Sequence, residues 1–405
     1  MGAIRLFLAY GVLLGHECGL AVDRGLACDS SWGFNVIGGR AVIFFYIVSG
    51  FLMSYVLDRK YPATRTGTYQ FFLSRFLRIY PLWWAVVALS ALTLRAQWPD
   101  KSSLQFFSSV ILFGSDWIVS FATYPKAYMG FFAPGTEVGW TLGIELTFYL
   151  LAPWLLRFTR LALAVLIGSA ALRAVAFFVI GPDGPSYLIW SYFTLPSVLM
   201  FFLLGHFARR VTGVRTAGLW PSVAILFASF WFSSRNDWPP INDWFPINFY
   251  LAAILFAVAL PAIFEATKDN RLSNWLGDLT YPLYLTHTLF LWALFGKWQT
   301  LGAPGEALFA FAKTLGSPYL ASAVVFATLA TLCVVAALIV HLICERPLRT
   351  LSRYIIAAVA GAAARVRTRS VPARPPIAEQ TITSPLPSLA GPPFAVDPRD
   401  RQVHA

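Results

Sequence analysis

The sequence predicts an all-α fold, a polytopic transmembrane helical bundle of about ten spans with both termini on the cytoplasmic side. Three observations predict it. The 405-residue chain is 58% hydrophobic and only 12% charged, with 35 Phe and 15 Trp, whereas a soluble domain carries about 25% charge. Apolar stretches of about 20 residues, the length a bilayer core requires, recur along it. Basic residues gather in alternate loops: Arg59, Lys60, Arg65, Arg75 and Arg78 in 58–78, Arg157 and Arg160 in 157–160, and Arg209, Arg210 and Arg215 in 208–216. That is the positive-inside pattern of a cytoplasmic face. The net charge of +12 therefore reports topology and argues against nucleic acid as a partner.

The expected spans are 4–20, 41–57, 79–97, 141–157, 161–180, 188–207, 217–233, 247–264, 281–297 and 318–343. The first carries no small-residue cleavage site and reads as a retained helix, not a signal peptide. The segment 104–113, LQFFSSVILF, is too short to span; it lies in the outer interface or re-enters, and it introduces a long outer loop to about residue 139. Trp238, Trp244 and Phe245 read as an interfacial belt, with stacking on sugar rings as the sharper alternative. The chain divides into a transmembrane domain, 1–350, and a tail, 351–405, that is basic, Pro-rich and reads as disordered and cytoplasmic. Cys18 and Cys28 can pair if their side is oxidising, while Cys333 and Cys344 read as inert.

The chemistry begins in RLFLAYGVLLGH, Arg5 to His16. On a helix the two bases share one face, about 16 Å apart along the axis, which puts Arg5 at the inner surface and His16 deep in the bilayer. Ionisable groups inside a membrane are functional-site hypotheses by default. In WTLGIELTFYLLAPW, Glu145 lies about 7 Å below Trp140, at a depth comparable with His16. A His beside a carboxylate is a general-base unit; a structural hydrogen bond between helices is the plainer reading of the same residue types.

FLSRFLRIYPLWW places Arg75 and Arg78 three apart at the entry of the third span. Two guanidiniums there suit a bidentate grip on phosphates, or simply anchor the chain to headgroups. In VIFFYIVSGFLM, Ser49 and Gly50 permit close approach of another helix or of a ligand. In LGDLTYPLYLTHTLF, Pro282 and His287 make a local polar pocket that either assists the chemistry or braces the bundle. His206 and His341 read as structural, and Arg173 requires a partner. Without GxxxxGK[ST], an ATP-driven pump is not indicated, nor does a DxD pair point to metal-dependent sugar transfer; no metal site is expected.

Six stretches in order resemble the membrane-bound acyltransferase-3 family, the bacterial O-acyltransferases of surface polysaccharide and O-antigen. They are Arg5 with His16, FFYIVSGFLM, the RxxR of Arg75 and Arg78, WTLGIE, YPLYLTH and the closing ERP at Glu345 to Pro347. The resemblance covers about residues 1–350. It implies transfer of an acyl group, acetyl in the first instance, from cytoplasmic acyl-CoA to a hydroxyl of an extracytoplasmic or lipid-linked polysaccharide. By the same resemblance His16 is the general base, Glu145 orients or charge-balances it, and Arg5, Arg75 and Arg78 hold coenzyme A phosphates. Ser49, Tyr284 and His287 belong to the substrate pocket, with Tyr284 and His287 lining the site. Acetyl-CoA is a co-substrate, with no permanently bound cofactor; membrane lipid, the glycan acceptor and polysaccharide-assembly proteins are the partners, in a bacterial inner membrane.

The sequence departs from the family pattern at Thr141 and Thr280, where Ser is usual, and both keep the hydroxyl. Only MGAI precedes Arg5, where many relatives carry a Leu-Asp-x-x-Arg lead-in, so the first helix is expected to be clipped or to start upstream. The outer hydrolase-like domain fused in some members is not expected here. Two rivals stay open: a transporter or flippase for a glycan or lipid-linked substrate, and an acyltransferase acting on a small molecule.

Overall fold

A computed structural model describes residues 1–22, 25–26, 34–94, 108–115, 117, 132–181, 187, 189–210, 218–234, 247–295 and 303–369. Among them the regular structure is all helical. The elements are α1 (Gly2–Val22), α2 (Phe34–Arg59), α3 (Arg65–Thr93), α4 (Gly139–Leu155), α5 (Thr159–Ile180), α6 (Leu195–Arg210), α7 (Leu219–Ser234), α8 (Ile247–Thr267), α9 (Arg271–Phe295), α10 (Ala303–Lys313), α11 (Pro318–Val340) and α12 (Arg346–Arg369). Single π-helical turns precede α6 at Ile189–Phe193 and α12 at His341–Glu345. Met1–Ala360 form one compact unit; Gly361–Ala405 separate as a second, of which only the helical stretch to Arg369 is described.

A helix occupies each of the ten expected stretches. Among the described residues five helices are long and apolar enough to cross a membrane: Gly38–Arg59, Arg65–Thr93, Thr159–Ile180, Asn248–Thr267 and Pro318–Val359. Helices α4, α6 and α7 have 17, 16 and 16 residues, about 24–26 Å each at 1.5 Å per residue.

The loop expected over 58–78 is largely helix. Thr64 caps α3, its hydroxyl accepting from the Gly67 amide at 3.1 Å, so Arg75 and Arg78 stand within a long helix that also contains Pro81 and not at the end of a loop. The 108–111 turn of the short segment docks on the middle of α3. The Trp83 indole donates to the Ser109 carbonyl at 2.5 Å, the Trp84 indole to the Val110 carbonyl at 2.9 Å, and the Tyr80 hydroxyl to the Ile111 carbonyl. Trp238, Trp244, Phe245, Cys28 and the tail beyond 369 lie outside the described residues. Cys18 is disulfide-bonded, and Cys333 and Cys344 are free.

Helix α1 packs against α2, α9 and α11, and α2 in turn lies along α6. The α2–α6 seam is built from small residues. A Cβ on Gly50 would meet the Phe202 carbonyl oxygen at 1.8 Å, and one on Gly205 would meet the Ile47 carbonyl oxygen at 1.9 Å, so each helix rests on the other's backbone. Ser54 and His206 Nδ1 share a hydrogen bond of 2.9 Å one turn further, and Arg209 pairs with Asp58 at 2.7 Å beyond that. His206 is thus structural, as its place near a helix end suggests. Gly50 takes the neighbouring helix and leaves Ser49 for the site. Arg173, whose partner the sequence does not name, donates to the Tyr250 hydroxyl at 2.6 Å and to the Ser191 carbonyl.

Candidate active site

Two polar centres among the described residues gather the site residues expected from the sequence. The first gathers guanidiniums from three distant parts of the chain. Arg5 of α1 lies within electrostatic reach of Arg78 of α3 and Arg349 of α12; Arg78 in turn lies beside Arg75 and Arg349. Local packing explains how α1 delivers its arginine. A Cβ on Gly277 of α9 would sit 2.6 Å from Arg5 Nη2 and 2.7 Å from the Gly2 Cα, so only a bare backbone lets the start of α1 and its guanidinium lie so close to α9. Arg75 is clamped by neighbours: Nε donates to the Ser74 hydroxyl at 3.3 Å, and the guanidinium stands 5.6 Å from the Phe71 ring centroid and 5.8 Å from that of Tyr149.

Arg349 is held by two carboxylates. It pairs with Asp278 of α9 and, across one turn of its own helix, with Glu345 at 2.5 Å. Glu345 also accepts from His341 Nδ1 at 2.7 Å within the π turn, which is the structural role expected for His341. The sequence reading passed over Arg349 and Asp278. The readable signal was the four-residue spacing from Glu345 of the ERP motif to Arg349, two residues beyond it.

Glu145 joins this first centre. Its Oε1 accepts from the Ser49 hydroxyl at 2.9 Å and from the Tyr149 hydroxyl one turn along α4, and the carboxylate lies within electrostatic reach of Arg78. A depth comparable with that of His16 is what the sequence establishes, but depth leaves the rotation of each helix free. On α4 it is Thr141, one turn before Glu145, that leads toward the histidines.

The second centre is built on His16 and His287, whose ring centroids are 5.2 Å apart with planes at 48°. Tyr284 stands 6.0 Å from His287 by ring centroid and shares a 2.6 Å hydrogen bond with Thr141, which is what the hydroxyl kept at that position does. His287 Nδ1 lies 3.2 Å from the Leu283 carbonyl oxygen. Residues 132–138 pack against α9 beside this centre. Gly135, at φ +75, fits where a Cβ would meet the Leu289 Cα at 2.6 Å, and its carbonyl accepts from the Thr288 hydroxyl at 2.9 Å. Glu137 in the same segment is buried and accepts from the Gly135 amide at 3.1 Å. Burial pushes its carboxyl up to about 7 against the pull of that hydrogen bond.

Several of these side chains are enclosed by protein yet keep accessible surface. Arg5, His16 and Tyr281 are half-buried and Arg78 is exposed, although helices surround each of them. Of the site residues expected from the sequence, Arg5, Arg75, Arg78, Glu145 and Ser49 gather at one centre and His16, His287 and Tyr284 at the other. Among the described residues no group of three or more His, Cys, Asp or Glu is placed to hold a metal ion.

Comparison with known proteins supplies a context for this arrangement. A family model described as an acyltransferase domain, acyltransferase-3, matches residues 1–343. Nodulation protein 10 of Rhizobium leguminosarum bv. viciae is 28% identical over 313 residues, covering 72% of this chain and 82% of the relative. No solved structure matches.

Proposed function

The chain belongs to the acyltransferase-3 family, and from that premise we propose that this membrane acyltransferase moves an acetyl group from cytoplasmic acetyl-CoA to a hydroxyl of an extracytoplasmic or lipid-linked polysaccharide. The two centres divide the work. Guanidiniums recognise phosphate through paired, charge-assisted hydrogen bonds, so Arg5, Arg75, Arg78 and Arg349 take the donor's phosphates at the cytoplasmic mouth. His16, about 16 Å further along the same face of α1, receives the acyl end.

The acceptor oxygen attacks the thioester carbonyl as His16 removes its proton. A new O–C bond forms, the C–S bond breaks, and the proton passes from His16 to the departing sulfur, which leaves as the free thiol of coenzyme A. Glu145 acts on the donor side: its charge offsets part of the arginine cluster and orients Ser49 and Tyr149. About ten crossings, with both termini cytoplasmic in a bacterial inner membrane, give this division its two sides.

The observation that carries the reading is the pairing of an enclosed arginine cluster with an enclosed histidine pair at opposite ends of one face of α1. A transporter also needs polar groups along a path, but four convergent guanidiniums at one mouth favour a polyphosphate-bearing donor. The deciding experiment follows labelled acetyl from acetyl-CoA into the saccharide fraction of membranes containing the chain. Loss of transfer in His16→Ala, with acetyl-CoA binding intact, is the expected result. Full transfer by that variant would overturn the role given to His16, and transport of a glycan without any acylation would favour the rival.

A further inference from the structure

The junction of α11 and α12 carries a groove that the acyl-transfer reading leaves unused. Leu342, Arg346, Pro347, Thr350, Leu351 and Tyr354 line it, around a volume of about 520 Å³, a size common among ligand sites, about 300–1,000 Å³. Its place follows from the sequence. From Pro318 to Cys344 no Asp, Glu, Lys or Arg occurs, a run of about 40 Å as helix, which exceeds the roughly 30 Å of a bilayer's hydrocarbon core. Glu345 ends that run but is buried, held by His341 and Arg349. Arg346 is therefore the first exposed charge, at the level where an apolar run meets headgroups.

Polarity sorts along the groove. On the side of the apolar run Leu342 is 49% exposed, and Ile343 beside it 69%. Beyond Arg346, the Thr350 hydroxyl donates to the Arg346 carbonyl at 3.1 Å and accepts from Arg353 Nη2 at 3.2 Å, which brings a second exposed guanidinium to the rim. No carboxylate neutralises the two: among the described residues Arg346 and Arg353 have no ion pair, and α12 contains no Asp or Glu. Tyr354, 72% exposed, is a ring of the kind that settles at a membrane surface, with its apolar body inward and its hydroxyl toward water.

An inorganic anion has no use for Leu342, Ile343 and Leu351, and a hydrocarbon has none for the guanidiniums. We propose that the groove is a binding site for an anionic phospholipid of the surrounding leaflet, which carries both chemistries in one molecule. Its phosphate takes charge-assisted hydrogen bonds from Arg346 and Arg353, and an acyl chain lies along Leu342 and Ile343, where burial of its methylenes adds to binding. A lone arginine at a membrane surface meets any passing headgroup, whereas two uncompensated guanidiniums at the end of an apolar groove select charge and shape together. The proposal stands apart from the acyl-transfer reading: the lipid is neither donor nor acceptor, and no bond in it is made or broken.

The test uses the full chain, purified in detergent and mixed with equal amounts of phosphatidylglycerol, which is anionic, and phosphatidylcholine, which is zwitterionic. Native mass spectrometry then counts the lipids retained and the chains per complex. Expected is one phosphatidylglycerol held in preference to phosphatidylcholine. Arg346→Gln should weaken that retention about fivefold, the worth of one arginine near anionic lipid, and Arg346→Lys should recover only part of it. Arg160→Gln, which removes an exposed arginine at the start of α5, should change nothing. Equal retention of both lipids, undiminished retention in Arg346→Gln, or equal loss in Arg160→Gln overturns the proposal, the last by showing general attraction to a basic face. So does a dimer that comes apart in Tyr354→Ala without any change in bound lipid, which would seat a second copy of the chain in the groove. If Arg346→Gln is not recovered folded, Arg353→Gln is judged by the same criteria.

Discussion

The Ser49 hydroxyl donates to Glu145 Oε1 across 2.9 Å and so ties α2 to α4 beside the arginine cluster. A hydrogen bond to a charged acceptor contributes about 1.5–3 kcal/mol. Ser49→Ala is expected to lower stability by about 2 kcal/mol, seen as a lower thermal unfolding midpoint. Under the proposed function coenzyme A affinity should change less than about threefold, because there the phosphates are assigned to arginines and not to this hydroxyl. A large loss of affinity with unchanged stability would give Ser49 a direct contact with the donor.

Arg349 is the guanidinium that links the arginine cluster, the proposed donor site, to α12. Arg349→Ala should weaken coenzyme A binding by about tenfold, the worth of one charge-assisted contact, in a titration of the purified chain with coenzyme A. Arg349→Lys should recover only part of this, since an ammonium cannot span Glu345 and Asp278 as a planar fork does. Dephospho-coenzyme A, with fewer charges, should discriminate less between the wild type and Arg349→Ala.

The buried Glu137 carboxyl makes stability depend on pH with a definite sign. Its value is raised from the ordinary 4.5 to about 7 by burial, so the folded chain holds this proton more tightly than the unfolded one. The stabilisation is fully present below pH 4.5 and is lost as pH rises through about 7. The unfolding midpoint should therefore fall between about pH 5 and pH 7.5, and Glu137→Gln should flatten that part of the curve. An unchanged slope in the Gln variant would assign the pH dependence to other groups.

Two glycine substitutions should differ sharply. Gly50→Ala forces a methyl to within 1.8 Å of the Phe202 carbonyl oxygen, and separating two packed backbones is expected to cost more than about 3 kcal/mol or to prevent recovery of folded protein. Gly168→Ala in α5 has nothing within 4 Å of the added atom and should be neutral or slightly stabilising. Yield and unfolding midpoint of the two variants make the comparison.

Much of the architecture was legible because burying apolar side chains and gathering charge at loops both leave marks in one dimension. The helices, the membrane class, and the segregation of Arg5, Arg75 and Arg78 from His16 follow from such marks. What hydropathy and spacing convey is height along a helix axis, not rotation about it. For that reason spacing conveys a height for Glu145 but neither its bonds to Ser49 and Tyr149 nor the pairing of Tyr284 with Thr141. The i, i+4 relation of Glu145 to Tyr149 was visible in the sequence but competes with every long-range alternative. Arg349 was hidden for another reason: in a helix with Arg346, Arg353 and more bases beyond, one arginine that turns inward has the same composition signal as those that anchor to headgroups. The helical start of α3 was missed because the polar residues of 58–70 resemble a loop until the Thr64 cap is noticed.

The π turn at His341–Glu345 makes the placement of Arg349 a matter of counting. A turn that accommodates one residue more than an α-helical turn advances everything after it by about 100° around the axis. Arg349 faces Asp278 and the arginines because that extra residue is present, while the apolar face of α11 keeps its own orientation. Removing a single residue from 341–345, with no change in the chemistry of any side chain in α12, would swing Arg349 about a quarter turn away from Arg5 and Arg78 and bring a neighbour into its place. A change in helix register, invisible to any substitution scan, would therefore take Arg349 out of the arginine cluster to which the donor's phosphates are assigned under the proposed function.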